Sequence, residues 1–280
     1  MRAAFEASAA GGRPGRAGRG AGTGQVFWVV FAAGVLAFLF APIAVAAVIS
    51  FSSASSLVFP PPGWSLEWYA AILADERIWL AAGVSAAIAL ASTAIAVVAG
   101  TLAAVAINHY RFTGRNSLKE FLLLPLTLPA IILGLGLLYA ISLFGMRPGL
   151  TAAILGHSVI SVPYVTYFVL AALANYDLAL ERASLDLGAG RVRTFLRITL
   201  PMIQQGVIVG AVFAFLLSFD NVSLSLFLTR GDTLPLRLLQ RIQYYADPSV
   251  AAVSTGLIVL SILLMLPIGG YLARSFEPRR

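Results

Sequence analysis

Six stretches of this chain are long, apolar and nearly free of charge, and they constrain the fold more than anything else in it. They run over about 25–50, 78–107, 121–144, 150–175, 202–228 and 250–273. Each reaches the roughly 20 residues that carry a helix across about 30 Å of hydrocarbon. Five of them contain no Asp, Glu, Lys or Arg, and the fifth in order contains only Asp220. In an apolar solvent every backbone N–H and C=O of such a stretch must be satisfied inside the segment, which selects helices here. The expected fold is therefore all-α, an integral membrane bundle of six transmembrane helices over residues 25–273. A short basic tail, 1–24, is expected before it as a disordered cytoplasmic segment, and a second cytoplasmic tail, 274–280, after it. A cleaved signal peptide is the rival reading of the N-terminus, but the apolar run there is too long for an h-region and no cleavage site closes it.

Composition supports the same class. Charged residues make up 11% of the 280, against about 25% in an average soluble domain. The net charge is +7, yet the basic residues sit between the apolar runs, so membrane topology accounts for them without a nucleic-acid partner. There is no Cys, hence no disulfide and no thiolate chemistry. The two His lie in no carboxylate cluster, which makes a zinc site unexpected. Basic residues divide 14 to 5 between the two sets of loops. The richer set holds the N-terminal tail, the loop 108–120, the segment 176–201 and the C-terminus, so both termini are expected in the cytoplasm. Pro42, Pro125, Pro129, Pro163 and Pro267, with Gly134 and Gly136, lie inside the apolar windows, where they serve helix packing or local bending.

The segment 176–201 is the most informative loop. Residues 177–187 are good helix material, with Asp177 placed to cap the N-terminus and Leu180, Ala183 and Leu187 at helical spacing. Gly188 and Gly190 permit a stop and a sharp turn. A second short helix follows, with Val192, Phe195, Leu196 and Thr199 on one face, and Pro201 precedes the next span. From the residues alone this is either an amphipathic loop resting on the bilayer surface or a compact plug built to meet a partner.

The spacing across this loop resembles the EAA loop of permease subunits of type I ATP-binding-cassette importers. That pattern is Glu-Ala-Ala, three residues, Gly, nine residues, Ile, one residue, Leu-Pro. Here Arg182, Ala183 and Ser184 take the first three places, Gly188 follows in register, and Ile198, Leu200 and Pro201 close it. Arg182 stands where the pattern has Glu, with Glu181 adjacent, and Ser184 stands for the second Ala. Glu181 would take the family's role only with a helix rotation of about 100°. The resemblance implies a MetI-like importer permease fold and an ATPase-coupling role for Glu181, Arg182, Ala183, Ser184, Asp186, Gly188, Ala189, Arg191, Phe195, Ile198, Leu200 and Pro201. It implies the partners too: a second permease subunit, two copies of a cytoplasmic ATPase that carries the ATP and Mg, and an external solute-binding protein. No P-loop occurs in this chain, so no cofactor is expected on it and it is not expected to be an enzyme by itself. The localisation implied is the bacterial inner membrane.

Asp220 is the one ionisable residue inside a window, and such a group costs a few kcal/mol unless paired or hydrated. It serves either a structural hydrogen bond or a polar pathway. By depth, His157 is one candidate partner for it, and a bond of His157 within its own bundle is the competing reading. Tyr164, Ser218, Phe219 and Asn221 complete the candidate pathway residues. Leu217-Ser218-Phe219-Asp220-Asn221, Phe227-Leu228-Thr229 and Leu234-Pro235-Leu236 resemble permeases of the spermidine/putrescine importer group, which often carry two acids where this chain has Asp220-Asn221. That resemblance implies a polyamine or a related small polar solute. Arg230, Arg237 and Arg241, with Tyr244 and Tyr245, are candidates for a surface that meets the binding protein. A stand-alone secondary transporter or channel predicts more ionisable residues within the spans. An intramembrane enzyme predicts a nucleophile–base pair there.

Overall fold

The computed structural model of the protein describes residues 23–174, 177–245 and 247–276. The expected tail over 1–24 falls almost wholly outside the described residues, as do Tyr176 and the last four residues, 277–280. Among the described residues helix is the regular structure, apart from one bridge pairing Ser52 with Trp64.

The helices are α1 (Thr23–Ile49), α2 (Glu67–Ala74), α3 (Glu76–His109), α4 (Arg115–Leu123), α5 (Ala130–Leu143), α6 (Leu150–Leu173), α7 (Ala179–Asp186), α8 (Arg191–Thr194), α9 (Leu200–Phe219), α10 (Val222–Leu228), α11 (Leu234–Tyr244) and α12 (Ser249–Phe276). Four are long and apolar enough to cross a bilayer unaided: α1, α3, α6 and the continuous helix Arg191–Phe219 that contains α9. The other two windows correspond to the bent pair of α4 with α5 and to α12.

The heart of the molecule is α3, α6 and α9, which pack on one another. Small residues set how close they come. A Cβ on Gly206 would lie 2.7 Å from both Ala172 Cβ and the Phe168 carbonyl oxygen, and one on Gly210 would lie 3.1 Å from Val165 Cα. On the other flank, a Cβ on Gly100 would meet Val165 Cβ at 2.9 Å. Val165 is thus clamped between glycines of α3 and α9, the close backbone approach that small-xxx-small helix faces allow. Around this heart α10 packs on α5 and α6, and α12 contacts α1, α2 and α11. Helix α1 is exposed over 26–45, as expected of a segment whose solvent is lipid or a second subunit rather than this chain.

Two windows expected as single helices are broken. In 121–144 the pieces Arg115–Leu126 and Ala130–Leu143 meet at 109°. A 3-10 turn, Leu124–Leu126, follows α4, and the Thr127 hydroxyl donates to the Leu124 carbonyl at 2.8 Å. Pro129 lacks an N–H and disfavours the helical conformation of the residue before it, so the chain turns there. In 202–228, α9 stops at Phe219 and α10 starts at Val222. Asn221 caps the new helix, its Oδ1 accepting from Leu224 N at 2.8 Å. Short polar side chains that bond the local backbone compete with the helix in this way.

The loops sort onto two ends. Near α7 and α8 lies the C-terminal end of α3, with His109 and Tyr110 lining the same cavity as Glu181 and Arg191. At the opposite end of α3, Arg241 pairs with Asp75 at 3.1 Å, and Ser85 Oγ accepts from Leu234 N at 2.9 Å. Close by, Arg230 Nε donates to the Pro148 carbonyl at 3.2 Å. The basic-rich loop 108–120 and the segment 177–199 therefore share one end. The loops holding Arg77, Arg147, Arg230, Arg237 and Arg241 share the other.

Candidate functional site

The segment between α6 and α9 folds as two short helices around a glycine turn. Asp177 Oδ1 accepts from Ala179 N at 2.8 Å in a turn just before α7; the N-cap is Leu178, whose side chain makes no cap bond, so the expected cap lies one residue too early. At the far end Leu187 N bonds the Ala183 carbonyl, Gly188 N the Leu185 carbonyl and Ala189 N the Ser184 carbonyl. Gly188 has φ +86°, a left-handed conformation that costs a side chain about 1–2 kcal/mol. Its Cβ position faces open space, so the requirement there is conformational rather than steric. Ser184 Oγ lies 3.0 Å from Thr194 Oγ1. The serine at the second Ala place therefore ties α7 to α8 across the turn.

The second helix is continuous with the next span across Pro201. Arg191–Thr194 runs into a π-helical stretch, Phe195–Thr199, and on into α9 without a break. Pro201 sits in the first turn of α9 and has no N–H to offer the carbonyl four residues back. The wider π turn, in which Leu200 N bonds the Phe195 carbonyl, absorbs that defect. Such bulges concentrate at functional sites. The consequence is mechanical: the turn at Gly188–Gly190 is joined rigidly to a membrane span.

Within this segment Arg182, Ala183, Asp186, Gly188 and Arg191 are exposed, and Ser184, Ala189, Phe195, Ile198 and Leu200 are partly covered, while Pro201 is exposed. Glu181 points the other way. Its side chain is 16% exposed, and Oε1 lies 3.0 Å from His109 Nε2 at the end of α3. The Thr199 hydroxyl donates to the same oxygen. His109 Nδ1 lies 3.2 Å from the Val105 carbonyl. Three elements, α3, α7 and the π stretch, therefore meet on one carboxylate. Neither His109 nor Thr199 stands out as a site residue in the sequence. The only signal is that His109, one of two histidines, ends an apolar window.

The candidate pathway residues are divided. His157 is fully buried, and its Nδ1 lies 2.8 Å from Ser218 Oγ, which lies 3.0 Å from Ser92 Oγ on α3. Ser92 Oγ donates to the Ala89 carbonyl at 3.2 Å. This chain of side chains links α6, α9 and α3 through their common core. Asp220 is exposed at the C-terminal end of α9. Among the described residues no hydrogen bond or ion pair joins its carboxylate to His157, which is instead bonded within the bundle. Tyr164 stacks against Phe213 with ring centroids 4.9 Å apart, and Phe219 against Phe215 at 5.7 Å. Asp220 and Asn221 thus sit at a helix break, with the end of α9 on one side and the start of α10 on the other.

Residues 96–280 match the family described as the inner membrane component of binding-protein-dependent transport systems. The putrescine transport system permease protein PotI of Escherichia coli K12 is 33% identical over 253 residues, covering 87% of this chain and 89% of that protein. The spermidine/putrescine transport system permease protein PotC of the same strain is 30% identical over 238 residues, covering 84% and 90%. Among solved structures, a bacterial alginate ABC transporter in complex with an alginate-bound periplasmic protein aligns with a TM-score of 0.64 at 17% identity, over 89% of this chain and 96% of that one. The MetNI methionine ABC transporter aligns with a TM-score of 0.53 at 18% identity, over 70% and 91%. These structural likenesses extend the all-α permease fold to the whole arrangement of helices.

Proposed function

Because this chain belongs to the inner membrane components of binding-protein-dependent transport systems, we propose that it forms, with a second permease, the membrane pathway of an ATP-powered importer for a polyamine or a related small organic cation. Support for the substrate class comes from the two polyamine permeases it resembles and from a carboxylate, Asp220, at the helix break of the fifth span. Asn221, Tyr164, Ser218, Phe219 and His157 line or brace that pathway. Both termini and the segment 177–199 face the cytoplasm, since the basic loops gather at that end. A binding protein delivers the solute at the other end, where α11 and the Asp75–Arg241 pair lie.

The observation that carries the proposal is the unbroken course from the Gly188 turn through Phe195–Thr199 into α9. Two copies of a cytoplasmic ATPase bind and hydrolyse ATP with Mg²⁺, and one of them grips this turn. Their closure moves α9 because no joint intervenes. For ATP to drive the cycle, the closed ATPase pair must contact the outward-facing state better than the inward-facing one. The chain contributes no hydrolytic residue of its own. The test is reconstitution in proteoliposomes of this chain with its second permease, the ATPase and the binding protein. Uptake of labelled putrescine or spermidine should require ATP and all four components. Uptake by this chain alone, without an ATPase, would instead establish a secondary transporter or channel.

A further inference from the structure

The exposed charge of the coupling segment is opposite to what its motif leads one to expect. Arg182 stands at the place of the glutamate, and the neighbouring acid is committed elsewhere. Glu181 is turned inward onto His109 and Thr199. Bringing it to the surface would break both contacts and unseat α7 from the end of α3. The exposed charges left on the segment are Arg182, Arg191, Arg193 and Arg197 against Asp177 and Asp186. Arg182 and Arg191 lie on consecutive helices, yet both line one cavity of about 720 Å³ between this segment and α3. Its inner wall is apolar, formed by residues such as Leu102, Val105 and Leu196.

We infer that Arg182, with Arg191 beside it, is the partner-facing charge of this segment, and that the ATPase it engages offers a carboxylate-bearing groove. This rests on the coupling role proposed above and names the chemistry of its partner. A guanidinium takes a carboxylate in a two-pronged, planar bond that a lysine does not reproduce. Two arginines lining one cavity whose other lining residues are mostly apolar raise such a contact above an isolated surface ion pair, which is worth little. Complementary charge of this kind serves partner choice: a groove built to receive a glutamate repels Arg182, since like charges facing each other are disfavoured. The permease would therefore select its own ATPase and reject one shaped for the ordinary motif.

The test uses the assembled importer, purified through a tag on the second permease. ATPase retained by the wild-type complex should fall steeply as salt rises from about 50 mM to about 500 mM. Arg182→Glu should reach the membrane in normal amount yet lose substrate-stimulated ATP hydrolysis and uptake about tenfold or more. Arg182→Gln should lose less, and its ATPase retention should depend less on salt. Selection for restored uptake in the Arg182→Glu strain should return changes of Asp or Glu to Lys or Arg in the ATPase. Wild-type retention and uptake in Arg182→Glu overturn the inference while leaving the coupling role intact. So does a loss that tracks the anionic lipid content of the vesicles with ATPase retention unchanged, since the arginines then hold a lipid phosphate. A wild-type complex that retains no ATPase at any salt overturns the coupling role itself, and this inference with it.

Discussion

A buried imidazole in a membrane bundle is decided by what its two nitrogens touch. His157 Nδ1 has Ser218, and Ser218 is shared with Ser92. Removing one hydroxyl therefore strips two partners at once. Ser218→Val should destabilise the protein by about 1–3 kcal/mol, the cost of leaving buried polar groups unbonded. Ser218→Thr, which keeps a hydroxyl, should cost less. Thermal unfolding in detergent compares the two, and equal stability of the Val variant and wild type would show that the chain carries no load. Glu181 makes the same point at the C-terminal end of α3. Glu181→Ala removes the oxygen that His109 and Thr199 share, whereas Glu181→Gln keeps an acceptor. We expect hydrogen exchange over 191–199 to quicken in the Ala variant by the equivalent of about 1–3 kcal/mol, with a far smaller change in the Gln variant. Equal exchange in the two would remove Glu181 from the tie. Neither site was legible from sequence in full. Depth along the helices placed His157 near the last turns of α9, which is where it lies. It did not distinguish Ser218 from Asp220 two residues on, because a difference of two positions on a helix turns a side chain by about 200° at nearly the same depth.

Elements show which glycines are there for contact and which for conformation. Gly134 and Gly136 attract notice in the sequence, and only the first is packed: its Cβ would lie 2.7 Å from the ring of Phe227 on α10. Gly206 and Gly210, four residues apart on α9, set the approach of α6 instead. Because a Cβ on Gly206 meets a backbone oxygen, which cannot rotate away, Gly206→Ala should cost about 1–3 kcal/mol through overpacking. Gly136→Ala, with nothing within 4 Å of its Cβ, should be neutral or slightly stabilising. Detergent melting curves of the pair decide this, and a neutral Gly206→Ala would mean α6 and α9 are less tightly apposed than described. Helix boundaries divide along the same physical line. The two-helix form of 177–199 was legible because helical spacing and a turn at Gly188 are local chemistry. The break at 127–129 was legible only as one of two readings of Pro125 and Pro129, and that at 220–221 not at all, since Asp-Asn within an apolar window is compatible with a continuous span until the neighbours are known. The π stretch before Pro201 was hidden for the same reason.

At the scale of the whole molecule, charge sorts the loops onto two ends more faithfully than hydropathy counts spans. The loops that hold 14 of the basic residues include the two that meet at the C-terminal end of α3, and the five remaining arginines gather toward its N-terminal end. Hydropathy found six windows, yet one of them is bent through 109° and another ends at Asp220. A membrane tolerates such irregular backbone only beside protein or a water-filled cavity. Asp220 is therefore the place to test how substrate charge enters the cycle. If its carboxylate faces the cation during passage, Asp220→Asn removes the attraction without changing shape. Uptake of putrescine or spermidine in the reconstituted importer should then fall about tenfold, equivalent to ~1.4 kcal/mol. ATPase retention should be unchanged, because the coupling segment lies at the opposite end of α9. A divalent cation should lose more than a monovalent analogue of the same length, since attraction to a single carboxylate scales with ligand charge. Equal losses for the two ligands would assign Asp220 to the helix break alone and leave recognition of charge to the binding protein.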